Sequence, residues 1–150
     1  MDQASTTIAS PPEQVWRMVS DITRMGEWSP ETTGGRWRGG ATGPAAGARF
    51  VGSNRHGRIR WSTHCRVTEC EPSSRFTFVV GESATAWGWI LEPDGDGTRV
   101  THWRESVGTT NPLVKALQKS GLLGRDREAM MVEGMRRTLD AVRSAAERSA

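Results

Sequence analysis

The clearest period along the chain is helical and lies near its C-terminal end. Val132, Met135, Leu139, Val142 and Ala146 recur at i, i+3, i+7, i+10 and i+14, while Arg136, Arg137, Asp140, Arg143 and Glu147 take the opposite side. This predicts an amphipathic helix over residues 126–148. About 22 helical residues span roughly 33 Å, enough to cross a small domain, and so long an apolar stripe needs a surface to cover. Met130, Met131 and Met135 lie near the apolar side, where methionine either fills core gaps or forms a soft wall beside a ligand. Gly134 predicts a close approach to the helix backbone.

Upstream the period is two. Residues 3–9 read as a first strand. Ser10-Pro11-Pro12-Glu13 has the form of a capping box, with Ser10 as cap and Pro11 in the first turn, opening a helix to about Val19 with Val15, Trp16 and Val19 on one face. Asp21 caps a second, short helix ending near Met25-Gly26, which leaves Trp28 in the loop that follows. A strand is expected over 32–38, a flexible Gly/Ala/Pro-rich connection over 39–47, and then strand after strand. Residues 48–54 place Phe50, Gly52 and Asn54 on one face, and His56-Gly57 makes a turn. Residues 59–71 form a long strand with Trp61, Thr63, Cys65 and Val67 together. After the Pro72-Ser73-Ser74 turn, residues 75–80 align Phe76, Phe78 and Val80. Residues 85–92 align Trp87, Trp89 and Leu91, PDGDG makes the next turn, and residues 98–107 form the last strand. Asn111-Pro112 reads as the start of a helical piece over 113–119, broken by Gly121 and Gly124. Antiparallel strands on short connections form a meander with one apolar and one wet face. The apolar face carries Trp61, Phe76, Phe78, Trp87 and Trp89, and the wet face Arg60, Arg66, Arg75 and Glu92.

At 150 residues one domain spanning 1–150 is expected. Seven tryptophans and no tyrosine predict an aromatic core. The net charge of +3 comes from arginines scattered among acids, and the only local cluster, Arg55, His56, Arg58 and Arg60, sits at a turn, where a solvated hairpin tip explains it. A nucleic-acid partner would need a basic face with interleaved aromatics, so none is expected. No apolar run approaches the ~18 residues of a membrane span and the first ten residues lack a signal-peptide core, which makes a cytoplasmic location the default. Cys65 and Cys70, five apart on one strand, are expected on opposite faces, so neither a disulfide nor a metal-type pair follows.

Several spaced blocks carry a resemblance: SPPEQVWRMVSDITRMGEWSP, Gly47-Ala48-Arg49-Phe50 leading to Asn54, RWSTHCRVTECEPSSRF, and Gly97-Thr98-Arg99-Val100 after the turn. In this order they resemble the START-like helix-grip (SRPBCC) superfamily over nearly the whole chain, and within it look most like the polyketide cyclase/dehydratase branch. The resemblance implies an α+β helix-grip fold: a curved antiparallel sheet of about seven strands wrapped around a long C-terminal helix, with two short helices after strand 1 and an elongated cavity inside. It implies a hydrophobic small-molecule ligand such as a lipid, sterol, polyketide or plant hormone. Three histidines dispersed along the chain predict no metal site, no cofactor is expected, and a homodimer is allowed. Some members guide cyclisation and dehydration of a poly-β-ketone with polar cavity residues, often Arg and Tyr; with no tyrosine here, a tyrosine-dependent route does not carry over.

The ligand side chains expected on this reading are Trp28, Phe50, Trp61, Thr63, Cys65, Phe78, Trp87 and Trp89, with Met131, Met135 and Leu139 from the helix. Tryptophan at such positions stacks on flat ligands and excludes water, or simply packs the core. The chemistry turns on the register of the last strand. With Val100 inward, His102 and Arg104 follow, a pair suited to proton transfer and carbonyl polarisation; the other register turns Trp103 and Glu105 inward, and a bulge would mix them. Asn54 either bonds a ligand carbonyl or ends its strand. Cys65 and His64 are neighbours on a strand and point apart, which argues against a Cys–His dyad. Two functions fit: an enzyme that shapes and dehydrates an aromatic, polyketide-like substrate using His102, Arg104 and Asn54, and a non-catalytic carrier or sensor of an apolar ligand. Trp28, residues 39–47 and the Gly121/Gly124 break are the candidate gates of the cavity.

Overall fold

The computed structural model describes residues 2–108 and 125–148. The helical piece expected over 113–119, its Asn111-Pro112 cap and the Gly121/Gly124 break lie outside the described residues. The elements are β1 (Asp2–Ile8), α1 (Pro12–Val19), a 3-10 turn (Ile22–Arg24), α2 (Met25–Trp28), β2 (Thr32–Arg38), β3 (Arg49–His56), β4 (Ile59–Glu71), β5 (Arg75–Val80), β6 (Thr85–Asp94), β7 (Gly97–Ser106) and α3 (Arg125–Arg148). The strands form one sheet in the order β1-β7-β6-β5-β4-β3-β2, antiparallel at every step. Strands β2 to β7 are thus a meander, and β1 closes it on the β7 side. With α3 held against the sheet, this is the α+β helix-grip architecture.

Local chemistry accounts for most boundaries. The β3–β4 turn comes at Gly57 and Arg58, one residue beyond the expected place, with Gly57 at φ 63°, a conformation glycine adopts without strain. Asp21 caps the 3-10 turn as expected, its carboxylate accepting from the Thr23 amide at 3.1 Å. The capping box does not form. Pro11 is the N-cap of α1, in an extended conformation (φ −62°, ψ 150°) with no side-chain cap. It precedes Pro12, and a residue before proline is driven out of the helical region, so the helix starts one residue late and the Ser10 hydroxyl bonds the Gln14 side chain at 2.8 Å instead. Trp28 is not in a loop. It ends α2 and is buried, its ring under the Arg24 guanidinium at 4.7 Å.

A bulge in β4 corrects the cysteine reading. Between Val67 and Glu69 the register against β5 slips, so that Val67 faces Phe78 but Cys70 faces Phe76. One extra residue turns the rest of the strand over. Cys70 therefore packs on the core side together with Cys65, and both are free thiols.

On α3 the predicted stripe is buried from its second member on: Met135, Leu139, Val142 and Ala146 are each 2% exposed or less, while Val132 is half-buried. The helix makes its main contacts with β1, β7, α1 and α2. Gly134 does not mark a close approach, because a β-carbon there would meet nothing within 4 Å; its carbonyl accepts from the Thr138 hydroxyl at 2.8 Å. Ile8, Val15, Phe76, Val100 and Val142 are fully buried and form the centre of the core. Among the described residues no helix is long and apolar enough to cross a membrane.

Candidate functional site

The register of β7 puts Val100, His102 and Arg104 on the inner face. Val100 pairs with Leu91, His102 with Trp89 and Arg104 with Trp87, and Val100 and His102 are buried. Trp103 and Glu105 face outward, bordering a depression with Gln3, Arg75, Thr77 and Ile90. Gly88 permits this arrangement. A β-carbon there would lie 2.3 Å from the Trp103 ring, so the indole lies flat over bare backbone, a packing in which an aromatic shields a strand glycine.

His102 is enclosed. Its ring stacks on Trp89 with centroids 3.9 Å apart and planes 15° apart, and lies 5.7 Å from Trp87. Nδ1 is 2.9 Å from the Gly88 carbonyl. A carbonyl only accepts, so Nδ1 carries the proton and Nε2 keeps the lone pair. Burial pushes the imidazole down to about 4, the Gly88 bond opposing this in part, so the ring is neutral at pH 7. Arg104 is half-buried, its Nε donating to Asp2 at 2.7 Å across the β1–β7 seam, with its guanidinium 5.9 Å from the Trp87 ring.

Asn54 is elsewhere. It lies on β3, four strands from β7, about 19 Å along the sheet at about 4.8 Å per strand. The structure brings His102, Arg104, Trp87 and Trp89 together and places Asn54 with a second group, Trp61 and Thr63. Trp61 pairs with Asn54 and Thr63 with Gly52. These side chains are half-buried and hydrogen-bonded in line: the Thr32 hydroxyl donates to Asn54 Oδ1 at 3.1 Å, and Asn54 Nδ2 donates to Thr63 Oγ1 at 3.2 Å. Thr32 had no signal in the sequence, since its place beside Asn54 follows only from β2 pairing with β3.

Between the two polar groups runs an aromatic band. Phe50 meets Phe78 edge-on at 5.2 Å and Trp37 at 5.7 Å; Trp37 is another half-buried indole that the strand pattern did not single out. Phe50 and Phe78 are buried, as are Trp28, Cys65 and Trp89. Burial pushes the Cys65 thiol up to about 12, which removes it as a nucleophile. On α3 Met135 and Leu139 are buried in the core, Met131 is half-buried and Met130 is exposed.

The fold agrees with what sequence and structure comparison find. A family profile described as "Polyketide cyclase / dehydrase and lipid transport" matches residues 3–147. The chain belongs to that family. No functionally curated protein matches the sequence. Among solved structures, the di-domain ARO/CYC StfQ from the steffimycin biosynthetic pathway superposes with a TM-score of 0.72 at 17% identity, over 99% of this chain and 45% of that one. The chain thus spans under half the length of StfQ. A protein of Thermus thermophilus superposes at 0.69 with 19% identity, over 99% and 98% of the two chains. A Polyketide_cyc-like protein of Corynebacterium glutamicum is 31% identical, with a TM-score of 0.58 over 94% and 87%. As a cyclase/dehydrase and lipid-transport family member, the chain has a fold suited to hydrophobic ligands, and the half-buried inner-face indoles show where its own aromatic surface lies.

Proposed function

We propose that the protein binds a planar, apolar small molecule between the β3–β4 end of the inner face and α3. The observation that carries this reading is the state of Trp37 and Trp61: large indoles turned to the inner face, neither of them fully buried. Among the described residues the main contacts of α3 fall on β1, β7, α1 and α2, which favours the β3–β4 wall as the place for a guest. Each polar candidate already has an internal partner, Gly88 for His102, Asp2 for Arg104 and Thr32 for Asn54. That favours holding a ligand, as a carrier or sensor does, over reacting with it. The test is a titration with fluorene followed by tryptophan fluorescence. Saturable binding is expected, weakened roughly tenfold in Trp61→Ala by loss of an aromatic contact and its buried area. Absence of saturable binding would overturn the reading.

One observation favours a second reading, cyclisation or dehydration of a polyketide-like substrate. With the proton fixed on Nδ1, His102 presents Nε2 as a base among two indoles, with Arg104 two residues along the same face. In this reading His102 moves the proton and Arg104 polarises the carbonyl, while Asn54, on the far wall, holds the chain. Incubation with a poly-β-ketone should give a product distribution that His102→Gln and His102→Ala alter; products identical with and without protein would remove it.

A further inference from the structure

The hydrogen-bond line on the β3–β4 wall has a direction, and the direction leaves one group unspent. Thr32 donates to Asn54 Oδ1, and Asn54 Nδ2 donates to Thr63 Oγ1. The amide orientation follows from its surroundings: Nδ2 also lies 3.5 Å from the Gly52 carbonyl, and a flipped amide would set two acceptor oxygens against each other. From the other side the Cys65 thiol donates to Thr63 Oγ1 at 3.9 Å, and a thiol pushed up to about 12 keeps its proton. A hydroxyl has two lone pairs and one proton. Both lone pairs of Thr63 are thus occupied, while among the described residues its own proton finds only the Gly52 carbonyl at 3.5 Å, the outer limit for such a bond. Donors feeding into a hydroxyl strengthen its own O–H as a donor. Gly52 keeps the space beside it open, since a β-carbon there would lie 2.9 Å from Thr63 Oγ1.

We infer that Thr63 is a specificity-determining donor, its O–H aimed at an acceptor oxygen of the bound molecule, such as a ring ketone or quinone carbonyl. The flat frame bearing that oxygen lies against Trp61, the neighbour of Asn54 across the β3–β4 pair. This rests on the inner face being the ligand site.

The experiment compares 9-fluorenone with fluorene, two tricycles of the same outline that differ by one carbonyl. Wild type should bind fluorenone roughly tenfold more tightly, the worth of one good hydrogen bond in a partly desolvated site. Thr63→Val keeps the shape and loses the hydroxyl; it should erase the preference for fluorenone over fluorene. Thr63→Ser should retain it. The carbonyl stretch of bound fluorenone should fall in frequency in wild type, a readout that does not depend on any variant folding. Equal binding of both tricycles by wild type, an unshifted carbonyl stretch, or a preference surviving in Thr63→Val would each overturn the inference while leaving the apolar site standing. If neither tricycle binds, the site reading itself fails and the donor assignment falls with it.

Discussion

The inner face of the sheet has two halves built on different terms. Across β5, β6 and β7, Phe76, Leu91, Val100 and His102 lie under α1 and α3 and are all buried. Even the polar groups there are closed off, the Thr98 hydroxyl donating to the Ser10 carbonyl at 2.7 Å and His102 to Gly88. Across β2, β3 and β4, Thr32, Trp37, Asn54, Trp61 and Thr63 remain half-buried. The first half is packed by its own chain, except at its edge, where Trp87 and Arg104 remain half-buried. Among the described residues, the second carries indoles and hydroxyls on a wall outside the main contacts of α3, where the proposed ligand would lie. On that proposal stability and recognition are separable by residue, and substitutions can be chosen to act on one without the other.

The largest effect should come from the packed half. Phe76→Ala removes a fully buried ring and should cost about 3–5 kcal/mol in urea denaturation, lowering fluorene binding only through loss of folded protein. Next is the pH dependence of His102. Its folded value of about 4 lies below the ordinary 6.5, so the unfolded chain binds the proton more readily. Stability from the neutral ring is complete above pH 6.5 and is lost as pH falls toward 4, by roughly 3 kcal/mol at about 1.4 kcal/mol per pH unit. His102→Gln should flatten this part of the stability profile; a profile unchanged by the substitution would contradict the enclosed, neutral imidazole. Gly88→Ala should cost about 1–3 kcal/mol through overpacking against Trp103, and less in a Trp103→Ala background, which a double-mutant cycle measures. The smallest change in stability belongs to the open half. Thr63→Val should change the unfolding free energy measured in urea by less than about 1 kcal/mol while changing ligand preference. A loss as large as that of Phe76→Ala would erase the distinction between the halves.

Much of the frame was legible because alternation and turn chemistry act locally. β2, β4 and β5 begin and end where the pattern placed them, at Thr32–Arg38, Ile59–Glu71 and Arg75–Val80. The failures share a cause: a decision made by a neighbour. The bulge after Val67 has no marking residue, no glycine in the bulged strand, and it moved Cys70 to the core side. Trp28 is buried because α2 packs against β2 and α3, which a loop reading could not anticipate. The register of β7 was undecidable within β7, since His102 and Trp103 each suit an inner face. The deciding signal sits on β6, where Gly88 leaves room for exactly one large ring across the pair. In the site, Asn54 and Thr63 were visible as inward polar residues, but the order of donation through Thr32 and Cys65 required the neighbouring strand and the measured distances.

One contact sets the timetable of assembly. The Ala9 amide donates to the Glu147 carboxylate at 3.0 Å, joining residues 138 apart in the chain, and among the described residues β1 pairs with β7 alone. Such distant pairings carry a large loop-closure cost before any return. A ribosome that has released the first strand must make the chain through β7 before that strand can pair. Through that interval the nascent meander shows its indole face uncovered, and chaperone demand should be greatest just before the final helix emerges.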